Sequence, residues 1–433
     1  MLQTIENKTF IGKFSVEELA EKFGTPLYVY DSERIVEQIN KFKAAFTGLP
    51  LKMKYAMKAC NNINILKLVR KNGCGLDTVS PSEVETALKI GFQPSEIVFT
   101  PNLVNFSEIE FAVEKNVAIN IENLSNLEKF GKKYGNSVPC CLRLNPNIIT
   151  EVETAEVADI TRFNVNKEHY GEIDKNRIGA WHNQSKFGIS LRLFDELLKI
   201  IDTYNINVNG LHIHASHVIL NKDVFVKGAS IIFSLAKNFP NLKYFDFGGG
   251  IMVKHKPEDI VININEAANG LRTEYNKFFG EATHKPELWF EPGRYIVSEA
   301  GFLITNVDVL KSNGSVDFAG VDTGFNHLIR PMMYNAFHEI INASNPLGEK
   351  KKYSVVGNLC EVDNLGTDRM VAKISENDKL VILNAGAYGF SMSSQYNNRY
   401  RPAEVLLTSE GAKLIRKRET TEDFLRNQIE IEL

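Results

Sequence analysis

A lysine follows a short apolar segment at the point where a parallel strand would end. Residues 55–57 (Tyr-Ala-Met) predict a short buried strand, and Lys58 comes next, before the polar Asn61 and Asn62. Removing a lysine from water costs free energy. Burial also lowers its pKa, and the neutral amine is the form that makes a Schiff base with an aldehyde. The alternative is a lysine whose ammonium reaches from the strand end into water, and this segment alone leaves both interpretations open.

Two other segments have the composition of anion-binding loops. Three consecutive glycines, Gly248–Gly250, offer backbone N–H groups that an oxyanion can approach without obstruction by a Cβ atom. The segment Glu291–Arg294 (Glu-Pro-Gly-Arg) adds a carboxylate, another glycine and a guanidinium. A plain tight turn is the alternative for the glycine run by itself, but the two segments together predict a phosphate site.

Two histidines and a cysteine are further candidates. His212 and His214 lie two residues apart on a predicted strand, and we expect them to face opposite sides of it. One would then pack in the core, while His214, nearer the strand end, could stack on a flat cofactor. Cys360 lies beside Glu361 and Asp363 on a predicted loop, and taken alone its thiol is interpreted as structural. The five cysteines show no paired spacing of metal ligands, so no metal site is predicted.

The elements that would bring these candidates together lie between residues 34 and 297, where short apolar strands alternate with amphipathic helices. Eight strand–helix units in about 260 residues predict a parallel (β/α)8 TIM-type barrel, with an open doubly wound sheet as the alternative. Such barrels carry their chemistry at the C-terminal ends of the strands. The predicted strands are 53–57, 75–79, 97–100, 118–121, 140–144, 208–214, 244–247 and 289–291, and the residues at their ends include Lys58, Asp77, Asn102, Asn145, His214, Gly248 and Glu291.

C-terminal to the barrel, short alternating strands are separated by Gly, Asn and Asp turns. This pattern predicts a second, mostly antiparallel, β-sandwich-like domain. A helical insert is expected at 331–341, and the strands before Asp31 could join the same sheet. We therefore predict a barrel at residues 34–297 and a β domain made of residues 1–33 and 298–433.

Composition and charge exclude several classes of protein. With 43% apolar and 24% charged residues, the chain is typical of a globular protein in water. A formal net charge of −3 leaves no broad basic field, so neither nucleic acid nor an anionic membrane is expected as a partner. No apolar run is long enough to span a bilayer and the N-terminus has no secretory signal, so the expected location is the cytoplasm.

Several motifs occur across nearly the whole chain, and as a set they are far more specific than any one of them. They are Tyr-Ala-Met-Lys-Ala at 55–59, Gly-Leu-His-Ile-His at 210–214, the glycine run, Glu291–Arg294, Arg-Pro-Met-Met-Tyr at 330–334, Cys360-Glu361 and Asn-Ala-Gly-Ala-Tyr at 384–388. In this set the sequence resembles the alanine-racemase-fold decarboxylases that use pyridoxal 5'-phosphate (PLP), and within them the diaminopimelate branch. Segments 185–188 (Ser-Lys-Phe-Gly) and 392–397 (Met-Ser-Ser-Gln-Tyr-Asn) favour that branch over the arginine and ornithine branches.

The resemblance implies a role for each of these residues. Lys58 would carry PLP on its amine, His214 would stack on the pyridine ring, and Glu291 would pair with the ring nitrogen. Cys360 would donate the proton that replaces the lost carboxylate, and Glu361 would bind the distal ammonium, both across the interface of a homodimer with shared active sites. The phosphate would be bound by Gly249, Gly250, Gly293 and Arg294, with Tyr388 closing over it. The distal carboxylate of the substrate would be bound by Arg294, Arg330 and Tyr334. Tyr388 would also contact the substrate.

The reaction implied by the resemblance is decarboxylation of an amino acid, meso-2,6-diaminopimelate, to L-lysine and carbon dioxide, the last step of lysine biosynthesis. The alternatives are decarboxylation of a related amino acid, such as carboxynorspermidine or a siderophore or natural-product intermediate, and a catalytically silent PLP-binding protein. Ser216 and His217 depart from the family pattern, because they stand where a Gly-Ser pair contacts phosphate. Residues 147–184 have no strong period and are interpreted as an irregular active-site excursion.

Overall fold

The structure, a computed structural model, describes residues 2–146, 186–214 and 222–433. The excursion expected at 147–184 and the departure at Ser216 and His217 lie outside these residues. The described chain begins with short elements: Leu2–Ile5 (β1), Lys8–Ile11 (β2), Phe14–Ser15 (β3), Val16–Phe23 (α1) and Leu27–Asp31 (β4).

Parallel strands then close into the eight-stranded barrel that the sequence predicts. The strands of this sheet are Leu51–Ala56 (β5), Gly75–Thr78 (β6), Ile97–Phe99 (β7), Ala118–Ile121 (β8), Cys140–Asn145 (β9), Ile189–Ser190 (β10), Val208–His212 (β11), Tyr244–Asp246 (β12) and Glu287–Phe290 (β13). β13 pairs with β5, and β8 pairs with β9, which completes the ring. β10 is an additional short strand paired with β9.

Helices cover the barrel because apolar residues recur on one face of each. In the first of them Ile35 and Phe42 are buried, and the Asp31 side chain caps the N-terminus by accepting the N–H groups of Glu33 and Arg34. None of the helices in the described part of the chain is both long and apolar enough to cross a membrane. The helices are Ser32–Ala45 (α2), Ile63–Lys71 (α3), Pro81–Lys89 (α4), Phe106–Glu114 (α5), Leu124–Tyr134 (α6), Phe194–Tyr204 (α7), Lys222–Leu235 (α8), Ile264–Phe279 (α9) and Arg294–Val297 (α10).

A second sheet, mostly antiparallel, follows the barrel. Its C-terminal strands are Gly301–Ser312 (β14), Asp317–Val321 (β15), Ile340–Asn342 (β16), Lys350–Val356 (β17), Asn364–Ala372 (β18), Lys379–Ile382 (β19), Ala403–Thr408 (β20) and Gly411–Arg416 (β21). The long strand β14 connects the two halves of the sheet, because its first part pairs with β4 and β19 and its second part with β15. β4 lies between β14 and β20, so an N-terminal strand does join this sheet, as expected. The β15–β17 and β4–β20 pairs are parallel.

The helix expected at 331–341 is wrong in its extent. A short helix covers Arg330–Tyr334 (α11) and ends at Asn335, whose φ of +48° is left-handed. The chain then enters β16, which pairs with β19. Apolar residues at Ile340 and Ile341 suit either a helix or a strand, so the sequence pattern alone did not separate the two. A last helix covers Thr421–Leu425 (α12).

Aromatic side chains fill the end of the barrel opposite the predicted site. Trp289 stacks on Tyr244 with ring centroids 3.7 Å apart. The ammonium of the buried Lys54 lies 4.5 Å from the Trp289 ring and donates to the carbonyl of Ser95, just before β7. In barrels of this kind, the loops at the C-terminal ends of the strands are the ones that bind the ligand.

Candidate active site

Lys58 lies in a 3-10 turn, Met57–Ala59, that follows β5 directly. Its Nζ is 2.6 Å from Oδ2 of Asp77, a fully buried residue of β6. Burial acts to lower the pKa of Lys58, but the carboxylates of Asp77 and Glu291 outweigh it and hold that pKa above the ordinary value. In the protein without its cofactor, these buried counter-charges therefore favour the ammonium form of Lys58 over the neutral amine.

The carboxylate of Glu291 lies at the end of β13, close enough to Lys58 to act on its pKa. Its Oε1 accepts a hydrogen bond from the Thr100 hydroxyl at 3.2 Å, and that hydroxyl accepts one from the Asn120 amide at 2.9 Å. Burial acts to raise the pKa of Glu291, but the nearby histidine nitrogens and the Lys58 ammonium outweigh it, so the pKa lies below its ordinary value. Glu291 thus holds a negative charge at pH 7.

His212 and His214 lie on the same side of their strand, so the prediction that they face opposite sides is wrong. Residues two apart on a strand share a face. Their rings are 6.4 Å apart, and His212 Nε2 and His214 Nδ1 lie 3.5 and 3.9 Å from Glu291 Oε2. Burial lowers the pKa of both histidines, which favours their neutral form. The three side chains offer donor atoms within 4.8 Å of one another, and the absence of a metal site stays a prediction.

The glycines of the two predicted phosphate loops are required by close backbone approach. Gly248 has a φ of +62°, and a Cβ atom there would lie 2.2 Å from His214 Nδ1. A Cβ atom on Gly249 would lie 2.7 Å from the carbonyl oxygen of Glu291, and the Gly249 N–H donates to His214 Nδ1 at 3.0 Å. A Cβ atom on Gly293 would lie 2.8 Å from the Cβ of Ala59. Both loops therefore pack tightly at the pocket, and the second contacts the Lys58 turn.

Arg294 and Arg330 place two guanidiniums near each other. Burial and then the neighbouring charge of Arg294 lower the pKa of Arg330 to about 10, and burial lowers the pKa of Arg294 as well. Tyr334 and Tyr388 are near enough to act on both values, and the Arg294 guanidinium is 5.6 Å from the Tyr388 ring centroid. In the part of the chain that the structure describes, no ion pair joins either arginine to a carboxylate. Two neighbouring guanidiniums, of which Arg330 is buried and Arg294 is half-buried, favour an anionic ligand.

Tyr388 connects the second domain to the lysine. It has a φ of +58°, and its backbone N–H donates to the carbonyl of Ala59 at 2.8 Å. The Ser391 hydroxyl donates to the same carbonyl at 3.2 Å. A loop of the β domain is thus hydrogen-bonded to the turn that carries Lys58.

Cys360 and Glu361 are exposed, whereas Asp77 and Glu291 near Lys58 are buried. Their side-chain hydrogen bonds go to Asn397 and Tyr396, both in the β domain. The structure thus brings together the predicted residues Lys58, His214, Gly249, Glu291, Gly293, Arg294, Arg330 and Tyr388, with Gly250 and Tyr334 nearby. Among the described residues of one chain, no hydrogen bond or ion pair joins Cys360 or Glu361 to them.

Three residues near the site had no predicted role. Asp77 was predicted only to lie at a strand end. A carboxylate at the end of the strand next to that of Lys58 indicates an ion pair between the two side chains, and this signal was available in the sequence. Arg143 is buried on β9 with its guanidinium 4.8 Å from the Phe187 ring centroid, and its position in an apolar strand gave no signal. His338 accepts a hydrogen bond from Arg330 at 3.0 Å, and only the fold reveals that contact.

Comparison with known proteins identifies the family. Residues 32–298 match the family described as pyridoxal-dependent decarboxylase, pyridoxal binding domain. The chain is also 35% identical to the diaminopimelate decarboxylase of Methanothermobacter thermautotrophicus, over 96% of this chain and 95% of that one. This chain belongs to the diaminopimelate decarboxylase family.

Solved diaminopimelate decarboxylases have the same fold. The enzyme from Methanocaldococcus jannaschii superposes with a TM-score of 0.86 at 30% identity, over 99% of this chain and 98% of that one. Its complex with L-lysine gives a TM-score of 0.86 at 29% identity, over 100% of this chain and 98% of that one. The family, the barrel with its second β domain, and PLP as the cofactor are confirmed, while the roles of individual residues stay predictions.

Proposed function

We propose that this member of the diaminopimelate decarboxylase family converts meso-2,6-diaminopimelate to L-lysine and carbon dioxide. The observation that carries the proposal is the pair of neighbouring guanidiniums of Arg294 and Arg330, both close to Tyr388, whose backbone N–H donates to Ala59 in the turn of Lys58. A diaminopimelate decarboxylase with this fold has been solved with L-lysine bound. A substrate with a carboxylate at each end fits such a pocket.

The residues at the barrel mouth fit PLP in charge and in shape. Lys58 supplies a primary amine for the aldehyde, and Arg294, which follows Gly293, supplies a guanidinium for the phosphate. His214 offers a neutral ring to the face of the pyridine, and Glu291 offers a negative charge that favours a protonated ring nitrogen. When bound, PLP supplies the electron sink for the bond pair that the departing carboxylate leaves behind.

The side chains of the pocket then bind the substrate by its far end. Arg294, Arg330 and Tyr334 bind the distal carboxylate, for which a guanidinium fork is well suited. Tyr388 covers the reacting centre, and Glu361 of a second copy binds the distal ammonium. The far end of the substrate carries both a carboxylate and an ammonium. The arginines and Glu361 together therefore distinguish it from the side chain of an amino acid such as L-lysine or L-ornithine, which ends in an ammonium alone.

Cys360 of the second copy supplies the proton. When the carboxylate leaves as carbon dioxide, its bond pair remains at the α-carbon. The S–H proton of Cys360 moves to that carbon and forms the new C–H bond, and the S–H electrons stay on sulfur as a thiolate. Water returns a proton to the sulfur, so the enzyme is unchanged at the end of the cycle.

A homodimer with shared active sites follows from these roles. Cys360 and Glu361 are exposed, and Glu361 lines a cleft of about 410 Å³ together with Val309 and Val362, which are 51% and 71% exposed. Apolar surface of this kind favours burial against a partner. We assign the barrel to residues 34–297 and the interface to the domain formed by residues 1–33 and 298–433.

We also infer a cytoplasmic location. All five cysteines are free thiols, and two of them, Cys140 and Cys141, are adjacent in a buried strand. Unpaired thiols in this number are typical of proteins from a reducing compartment.

The substrate is tested by comparing kcat/KM for meso-diaminopimelate, L-lysine, L-ornithine and L-arginine. We expect meso-diaminopimelate to be the best substrate of the PLP-loaded enzyme. Arg330→Lys should lower its kcat/KM about 30-fold, because the bidentate contact with the distal carboxylate is lost. The control is Arg192→Lys, an exposed residue. A better rate with L-ornithine, or an equal loss for all four amino acids in Arg330→Lys, would contradict the proposed substrate.

A further inference from the structure

Two consecutive side chains contact the two residues that are proposed to act in the partner's site. The Asn397 amide Nδ2 donates to the Cys360 sulfur at 3.1 Å, and its Oδ1 accepts the backbone N–H of Cys360 at 2.9 Å. The hydroxyl of Tyr396 donates to Glu361 Oε1 at 2.9 Å. Asn397 therefore makes two hydrogen bonds with Cys360, and Tyr396 makes one with Glu361 and also lies close enough to interact with the Cys360 thiol.

The backbone and a third segment hold this arrangement in place. Asn397 has a φ of +55° in the 3-10 turn Tyr396–Asn398, and asparagine adopts this left-handed conformation more readily than most residues do. The Tyr396 ring stacks on Phe325 at 5.6 Å, and the Phe325 N–H donates to Asp363 at 2.7 Å. Phe325 thus contacts both segments, and it fixes the turn against the Cys360 loop.

We propose that Asn397 and Tyr396 are positioning residues, which orient the Cys360 thiol and the Glu361 carboxylate for the reaction proposed above. The Asn397 amide donates to sulfur, so the hydrogen of the thiol is not used in this contact and is available to another acceptor. A hydrogen bond to sulfur becomes stronger when the sulfur is charged. Asn397 is therefore placed to hold the Cys360 sulfur and to stabilise it once its proton has been transferred, while Tyr396 restricts the direction of the Glu361 carboxylate.

The first test measures the thiol itself and needs neither PLP nor substrate. Asn397→Asp keeps the acceptor for the Cys360 N–H, but it replaces the donor to sulfur with a negative charge. We expect iodoacetamide to alkylate Cys360 about tenfold more slowly in this variant at pH 8, because the thiolate is disfavoured. The matched control is Asn398→Asp, which places the same charge on the next residue of the same turn. The rate is followed by mass spectrometry of the Cys360 peptide, and equal rates in the two variants would overturn the role of Asn397.

The second test separates the two positioning roles in the PLP-loaded enzyme. Asn397→Asp should lower kcat more than it raises KM, because proton delivery is impaired. Tyr396→Phe should raise KM for meso-diaminopimelate more than it lowers kcat, because the contact with the distal ammonium is loosened. An unchanged KM in Tyr396→Phe would overturn its role. If the wild-type enzyme formed no lysine, the proposed function would fail, while the alkylation rates would still decide whether Asn397 acts on Cys360.

Discussion

The charge of Lys58 depends on Asp77. The two groups are 2.6 Å apart, and Asp77 is fully buried, so its carboxylate has no access to water that would weaken the interaction. Burial and the nearby charge of Glu291 raise the pKa of Asp77 to about 7, against the opposing effect of Lys58. Asp77 is therefore the residue that sets how easily the amine loses its proton before it can react with an aldehyde.

Asp77→Asn should lower the pKa of Lys58. With the counter-charge removed, burial acts on the ammonium with less opposition, and the neutral amine forms at lower pH. The rate of PLP incorporation into the cofactor-free protein, followed by absorbance, should then reach its half-maximum at a pH about one unit lower or more. Asp195→Asn, an exposed residue of α7, serves as the control. An unshifted pH profile would show that Asp77 does not control the amine.

At the scale of elements, the site depends on loops that pack without side-chain volume. Gly293 has a negative φ of −103°, so alanine is compatible with its backbone, but the new Cβ atom would lie 2.8 and 3.0 Å from the Cβ atoms of Ala59 and Ala56. Contact, not backbone strain, therefore determines the effect of a substitution there.

Gly293→Ala should weaken PLP binding about tenfold or more, because the loop that carries Arg294 must move away from the Lys58 turn. The dissociation constant is measured by titrating cofactor-free protein with PLP. Gly314→Ala adds a methyl group in open space at a φ of +89°, so it should cost stability and leave the PLP affinity unchanged. Equal affinities in the two variants would contradict the proposed packing of the loop.

His327 joins the loop after β15 to the segment before β20. Its Nε2 donates to the Tyr400 carbonyl at 3.1 Å, so its Nδ1 accepts from the Thr323 hydroxyl at 2.9 Å. Burial lowers its pKa to about 4. Because the folded pKa lies below the unfolded one, the stabilisation is complete above about pH 6.5 and is lost as the pH falls from there toward 4.

His327 should therefore contribute to acid sensitivity. Between pH 7 and pH 5 its contribution to the free energy of unfolding falls by about 2 kcal/mol, because the unfolded chain binds a proton that the folded chain does not. His327→Gln should show a smaller drop in Tm over this interval than the wild type. The exposed His284→Gln should show the wild-type drop, and identical slopes in all three proteins would contradict the assigned protonation.

The sequence predicted the strands and their order better than it predicted side-chain contacts. The alternation of apolar strands and helices was sufficient for the barrel, and Gly, Asn and Asp turns were sufficient for the second domain. The helix at 331–341 was overextended because a left-handed Asn335 ends it, and asparagine also occurs inside helices. The prediction for the two histidines was wrong because residues two apart on a strand point to the same face of the sheet, and it is adjacent residues that point to opposite faces.

At the scale of the whole molecule, contacts between distant segments complete the site. The hydrogen bonds of Asn397 to Cys360, of Arg330 to His338 and of Tyr388 to Ala59 join residues that no spacing rule relates. The motifs allowed most site residues to be named in advance. They did not predict the charge of Lys58 or the neighbours of Cys360, because both depend on which strands and loops the fold places side by side.

A shared active site predicts complementation between two inactive variants. In a dimer of Lys58→Ala with Cys360→Ala, one of the two sites has both groups intact. The heterodimer purified through both tags should therefore have about one half of the wild-type activity. The two chains are co-expressed with different tags, and lysine formation is measured after purification through both tags and also for each variant alone. Activity no higher than that of the separate variants would contradict a shared site.

The most direct test of the account is to incubate the purified protein with PLP and meso-diaminopimelate and to quantify L-lysine and carbon dioxide. We predict equal amounts of both products, dependent on added PLP, and neither product above background with Lys58→Ala. Carbon dioxide without lysine, no product from a protein that has bound PLP, or undiminished turnover by Lys58→Ala would contradict it.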